Sequence, residues 1–95
     1  MPDLDIQHDA ANGRFTARVD GHLCEADYRL HDGVMYLVHT AVPRALQGQG
    51  IAARLVDAAL AEARARGWRV RPVCSYVASH MRRHPETHDL LETPR

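Results

Sequence analysis

Residues 42–67, "VPRALQGQGIAARLVDAALAEARARG", carry the chain from a period of two to a period of 3.6. From Ile51 onward, Ala52, Leu55, Val56, Ala59, Leu60 and Ala63 fall on one helical stripe, while Arg54, Asp57 and Arg64 lie on the polar side. Arg64 and Arg66 place cations near the negative end of the helix, and Gly67 tolerates the left-handed stop. The spacing therefore predicts an amphipathic helix over 51–66, preceded by a loop that holds Gly48 and Gly50.

Upstream, "VMYLVHTAV" (34–42) is apolar on both faces and rich in β-branched residues, which predicts a strand in the middle of a sheet, covered on both sides. "HLCEADYRL" (22–30) alternates, with Cys24, Ala26, Tyr28 and Leu30 on one face and Glu25, Asp27 and Arg29 on a wet one. Before it, "LDIQH", "DAANG" and "RFTARVD" read as strand, turn and strand, with Asn12-Gly13 supplying the positive backbone angles of a hairpin. His31-Asp32-Gly33 makes another turn. Downstream, "WRVRPVCS" (68–75) reads as a strand joined to 34–42 by a right-handed crossover, hence parallel to it. Pro72 places that strand at an edge, at its own end or at a break. "YVASHMRRH" and "PETHDLL" are short helical pieces, with Pro85 at the first position of the second. Four antiparallel strands, a helix, a parallel strand and a C-terminal helix make an α+β fold, a mixed α/β layer sandwich, expected as one domain over residues 1–95.

Composition bounds the function. Lys plus Arg number 12 and Asp plus Glu number 12, so the net charge gives no general pull on nucleic acid or anionic membrane. No window reaches the ~18 apolar residues of a membrane span, and the N-terminus "MPDLDIQHDA" carries acids early, so a cytoplasmic protein is expected. The two cysteines, Cys24 and Cys74, form no C-x-x-C pattern and are expected as free thiols, Cys24 within the core.

A strand end, two glycines and a helix start can make an anion site, because the first helical turn leaves N–H groups unpaired and the dipole adds positive charge. The same glycines can equally serve as a turn. No Gly-Lys-Ser/Thr follows, which excludes a Walker loop, and the third glycine and the acid of the dinucleotide fingerprint are missing. Gln47-Gly48-Gln49-Gly50-Ile51-Ala52 resembles the Q/R-x-x-G-x-G/A signature of the GNAT acetyltransferases, placed as in that superfamily between the strand and its following helix. "RPVCSYVASHMRRHPETHDLL" (71–91) resembles the C-terminal part of a small single-domain GNAT subfamily, in which Cys-Ser-Tyr-Val precedes Arg-His-Pro-Glu, and "HTAVP" (39–43) adds to the likeness.

The resemblance implies an N-acetyltransferase that moves acetyl from acetyl-coenzyme A to an amine acceptor, a small molecule or a protein side chain. Backbone N–H groups of Gln47, Gly48, Gln49, Gly50, Ile51 and Ala52 would hold the pyrophosphate, and Thr40, Ala41 and Val42 would line the pantetheine arm. Larger relatives place two helices between their first strands, where Asn12-Gly13 leaves room only for a turn, so an open acceptor site is expected. The alternative is a coenzyme A-binding sensor or interaction module, and a third class is a histidine-dependent metal protein.

For Cys74, the resemblance implies a position near the thioester and a role as nucleophile, against the plain reading of a small buried hydrophobe. Acetyl transfer through Cys74 needs thiolate character from a helix N-terminus or from Arg82 or Arg83, whereas direct attack by the amine needs only a base. His39 is either that base or a hydrogen-bonded core histidine, and Tyr76 either protonates the leaving thiolate or packs. Arg83 matches the subfamily as a partner of the cofactor's 3′-phosphate. His80, His84 and His88 recur at i, i+4, i+8 and with Cys74 raise the question of zinc. Pro85 is expected to break that helix, so no metal is expected, and the oligomeric state is left open.

Overall fold

Two Asp-Gly pairs build the antiparallel part of the sheet. Asp20 and Gly21 (φ 51° and 78°) and Asp32 and Gly33 (φ 50° and 76°) all have positive φ, the combination whose twist matches that of paired strands. They join β2 (Arg14–Val19), β3 (His22–His31) and β4 (Val34–Ala41) in the computed structural model, which describes residues 4–92. β1 (Ile6–Asp9) pairs with β2 across a loop at residues 10–13. Of the predicted Asn12-Gly13 pair, only Gly13 has positive φ. Asn12 instead braces the loop, donating from its backbone N–H (3.2 Å) and its side-chain amide (2.9 Å) to the Asp9 carboxylate.

The strands lie in the order β1-β2-β3-β4-β5, with β5 (Arg69–Pro72) parallel to β4 and every other pair antiparallel. β4 is thus fourth of five, not the middle strand that its apolar character suggested; β3 occupies the middle. Nor is β4 covered on both faces: Val34, Met35 and Leu37 are buried, but Tyr36 and Val38 are only half-buried and His39 is exposed, with the Arg71 guanidinium 5.6 Å from the Tyr36 ring centroid on that side. Pro72 satisfies two of its three readings at once, ending β5 at the sheet edge, where its missing N–H breaks no ladder.

α1 (Ile51–Arg66) lies across β2, β3, β4 and β5 and ends at Gly67 (φ 73°), whose N–H reaches the carbonyls of Ala63 and Arg64. It buries Ile51, Leu55, Val56, Ala59, Leu60 and Ala63. The predicted stripe is displaced at one point, since Ala52 is half-buried and Ile51 fills the core instead. These residues pack on Phe15, Ala17, Cys24, Ala26, Tyr28, Met35 and Leu37 of the sheet. Each fully buried Leu or Val contributes about 1.5–3 kcal/mol, so the α1–sheet contact dominates the stability of the fold. Leu30, expected on that face, is 48% exposed, near the β3 end.

After β5, α2 (Ser75–Arg82) adds Val77 and Met81 to the same core. A 3₁₀ turn (Pro85–Leu90), begun by Pro85 as expected, follows. Arg64 of α1 grips the Asp89 carboxylate through both guanidinium nitrogens (2.6 and 3.0 Å), and Glu92 N–H donates to the Val70 carbonyl (3.0 Å) to close the β5 edge. The α+β expectation is the fold observed.

Candidate functional site

The parallel pairing of β4 with β5 runs from Val34↔Arg69 to Leu37↔Pro72 and stops there. The N–H groups of Val73 (3.0 Å) and Cys74 (2.9 Å) both donate to the Leu37 carbonyl, and among the described residues β4 continues to Ala41 paired with β3 alone. The two strand ends therefore part. A bulge accompanies the parting: Tyr28 faces Leu37 but Asp27 faces His39, so β4 carries one extra residue, Val38. Because cross-strand partners share a face, Leu37 and Thr40 both turn toward the helices, while His39 turns to the opposite face with Asp27.

The loop after β4 makes a 3₁₀ turn (Arg44–Leu46) that buries Leu46. The Gln47 side chain donates to the Val42 carbonyl (3.0 Å), stapling the loop to the strand end. Gly50 is the N-cap of α1 in the left-handed region (φ 80°, ψ 13°), where it can offer no capping side chain. The first intrahelical bond is from Arg54 N–H to the Gly50 carbonyl (3.1 Å), so the N–H groups of Ile51, Ala52 and Ala53 have no acceptor within the helix, and no acid stands in its first turn. A Cβ built on Gly48 or Gly50 would meet no protein atom within 4 Å. These groups border a cleft of about 480 Å³ lined by Thr40, Val42, Leu46, Gln47, Gly48, Gly50, Ile51, Ala52 and Tyr76. Unpaired N–H groups, a helix dipole and glycine-flanked space fit the pyrophosphate of a coenzyme A donor.

Cys74 occupies the N-cap position of α2 without a side-chain capping bond and is half-buried, with its sulfur 3.9 Å from the Thr40 hydroxyl. Burial pushes its thiol up, but the N–H groups of Val77 and Tyr76, with the Thr40 hydroxyl and backbone, outweigh it and hold the thiol below the ordinary value. Of the two foreseen sources of thiolate character, the helix N-terminus is the one in place. Arg82 and Arg83 stand at the other end of α2.

Of the residues named for the donor, Thr40, Val42, Gln47, Gly48, Gly50, Ile51 and Ala52 line the cleft, whereas Ala41 and Gln49 lie outside the lining. His39 is exposed, so the core-histidine alternative is wrong; the bulge puts its ring on the open face. There Asp27, with Arg14 Nε at 3.8 Å, is its cross-strand partner. Arg83 is exposed, seven residues or roughly 10 Å of helix beyond Tyr76, and does not line the cleft. The three histidines do not converge. His80 Nε2 is 2.8 Å from the Asp57 carboxylate, His84 Nδ1 donates to the His80 carbonyl (2.6 Å) and His88 Nε2 to that of Met81 (2.7 Å). Among the described residues no group of three or more His, Cys, Asp and Glu is placed to hold a metal ion.

Leu46, part of the cleft wall, escaped the sequence reading, although a lone leucine between Pro43 and the glycines was its available signal. The Asp57–His80 bond, across 23 positions, left no signal at all.

The model of the family described as GCN5-related N-acetyl-transferase matches residues 14–90, a span that holds the loop, Cys74 and His39. The solution structure of a "GCN5-like putative N-acetyltransferase" from Staphylococcus aureus is similar over 100% of this chain and 94% of that one, with a TM-score of 0.76 and 24% identity, a likeness of fold. No curated protein matches the chain. With its strand, glycine loop and helix in the matched span, the chain belongs to the GCN5-related N-acetyltransferase (GNAT) family.

Proposed function

We propose that this chain, acting as one domain, is an acetyl-coenzyme A-dependent N-acetyltransferase of the cytoplasm, with an amine as acceptor. The observation that carries the reading is the start of α1, uncapped by any side chain and opening onto the cleft where β4 and β5 part. The N–H groups around Gly48 to Ala53 bind the donor's pyrophosphate. Thr40, Ala41 and Val42 accompany the amide-bearing arm, which brings the thioester toward the parted strand ends. Arg83, outside the cleft, is assigned to the 3′-phosphate on the subfamily likeness alone.

The covalent route is favoured by the position of Cys74. Its thiolate, favoured by the N–H groups of Val77 and Tyr76, attacks the thioester carbonyl; the new C–S bond forms as the bond to the coenzyme A sulfur breaks, and coenzyme A leaves as thiolate, to which Tyr76, in the cleft lining, gives a proton. A neutral amine then attacks the acetyl-Cys74 carbonyl, Cys74 leaves as thiolate, and the proton lost by the amine passes to His39 on the open face. The open face beside His39 admits the acceptor.

Calorimetric titration with coenzyme A and intact-mass analysis after mixing with acetyl-coenzyme A test this reading. Saturable binding and an acetyl adduct mapped to Cys74 are expected. Transfer to an amine retained by Cys74→Ala eliminates the covalent step, and binding with no transfer across an amine panel leaves a coenzyme A sensor in place of an enzyme.

A further inference from the structure

A side-chain bond joins the two helices that start at the cleft. Asp57 lies six residues along α1 from Ile51, and His80 six residues along α2 from Cys74, roughly 9 Å of helix in each case. His80 Nε2 and the Asp57 carboxylate are 2.8 Å apart. His80 is 2% exposed, and a buried imidazole is costly unless its nitrogens are bonded, so packing alone does not explain a histidine here. The His80 ring also stands in a stack: the Tyr76 ring, which lines the cleft, lies with its centroid 6.3 Å away, and the His84 ring lies 4.2 Å away.

We infer that Asp57 and His80 are positioning residues, which fix α2 against α1 and thereby set Cys74 and Tyr76 against the helix start that receives the donor. This rests on the proposed function for what is positioned, though not for the mooring itself. Neither residue itself lines the cleft; His80 reaches it through the Tyr76 ring, and the rest of the effect travels through the body of α2. With the bond cut, α2 keeps its core contacts through Val77 and Met81 and its backbone tie to Leu37 but loses its side-chain tie to α1, and the long approach of the Thr40 hydroxyl to the Cys74 sulfur, 3.9 Å, is the contact that loosens first.

Asp57 is mostly exposed, so Asp57→Ala leaves no cavity; it does leave the buried His80 Nε2 without its partner, a cost the melting temperature reads. Asp57→Asn keeps an acceptor for the His80 N–H, and His80→Phe keeps the stack but removes the donor. Three quantities are read for each variant: coenzyme A affinity, the rate of acetyl-Cys74 formation from acetyl-coenzyme A, and the pH midpoint of Cys74 alkylation by iodoacetamide, mapped by peptide mass. Asp57→Ala and His80→Phe are expected to slow acetylation about tenfold or more, since small misplacements of reacting groups are expensive, while affinity stays within about threefold. Both should raise the alkylation midpoint, and Asp57→Asn should restore both quantities. An unmoved midpoint in Asp57→Ala, or Asn failing as fully as Ala, overturns the inference, as does loss of affinity and rate in parallel with the melting temperature. If the parent protein neither binds coenzyme A nor becomes acetylated, the proposed function falls, and the alkylation midpoints alone decide for or against the mooring.

Discussion

Alanine at Gly50 and alanine at Gly67 impose the same backbone penalty at the two ends of α1, but only one of them borders the cleft. Gly50 has φ 80° and ψ 13°, Gly67 has φ 73° and ψ 22°, and a Cβ at either would meet no protein atom within 4 Å. Each substitution therefore costs about 1–2 kcal/mol for forcing an L-residue into the left-handed region, with no clash added. For a domain of this size that lowers the melting temperature by roughly 4–8 °C per kcal/mol, equally in both variants. The ligand distinguishes them. An anion oxygen bonded to the backbone sits about 2.9 Å from the nitrogen, and a methyl group in that space pushes it away. Losing one charge-assisted bond costs about 1.5–3 kcal/mol, so Gly50→Ala should weaken coenzyme A binding roughly ten- to a hundredfold. Gly67→Ala, and Gln49→Ala, which alters a loop side chain outside the cleft lining and keeps the backbone N–H, should bind as the parent does. Calorimetry with coenzyme A, paired with thermal melts of all three variants, reads both effects. If Gly50→Ala binds as tightly as Gly67→Ala at equal stability, the start of α1 is not the pyrophosphate site.

Cys74 alkylation by iodoacetamide should rise with pH and level off below the point for a free cysteine, because the thiolate is the reactive form and the N–H groups at the start of α2 favour it; a midpoint at or above the free value refutes that environment. Leu55→Ala, at a site with 0% exposure under the sheet, should cost about 3–5 kcal/mol in a denaturant melt, and a loss under about 1 kcal/mol would contradict the described core. Gly13→Ala would set a Cβ 2.4 Å from the Tyr28 carbonyl oxygen, so it should destabilise by more than Gly67→Ala does; equal melts would mean the β1–β2 loop is not held where described.

The helix and its stop were plain in the sequence because Leu55, Val56, Ala59, Leu60 and Ala63 repeat at helical spacing and Gly67 follows two arginines. The strands were legible from alternation, as in Cys24, Ala26 and Tyr28. Strand order was not, since an apolar strand such as β4 looks the same whether it is third or fourth; pairing partners, not composition, decide it. For the site, local chain order made the loop readable, because Gln47 to Ala52 act through backbone groups that lie in sequence. His39 was misjudged as a core alternative because alternation assumes an unbroken ladder, and nothing in "YLVHTA" announces the extra residue at Val38. The source of Cys74 thiolate character was ambiguous for a related reason: Arg82 and Arg83 are near in sequence, but α2 carries them away from the thiol.

That extra residue gives β4 two addresses. Were Val38 paired with Asp27 in an unbroken ladder, His39 would fall opposite Ala26 and change sides with Thr40, placing an imidazole among the helix-facing groups and a hydroxyl on the open sheet. With the bulge, adjacent residues serve opposite compartments of one protein. A donor lying under the helices and an acceptor arriving over the bare sheet would meet at the same two positions of the chain without competing for space, and it is the pairing-out of Val38, not its side chain, that keeps the two routes apart.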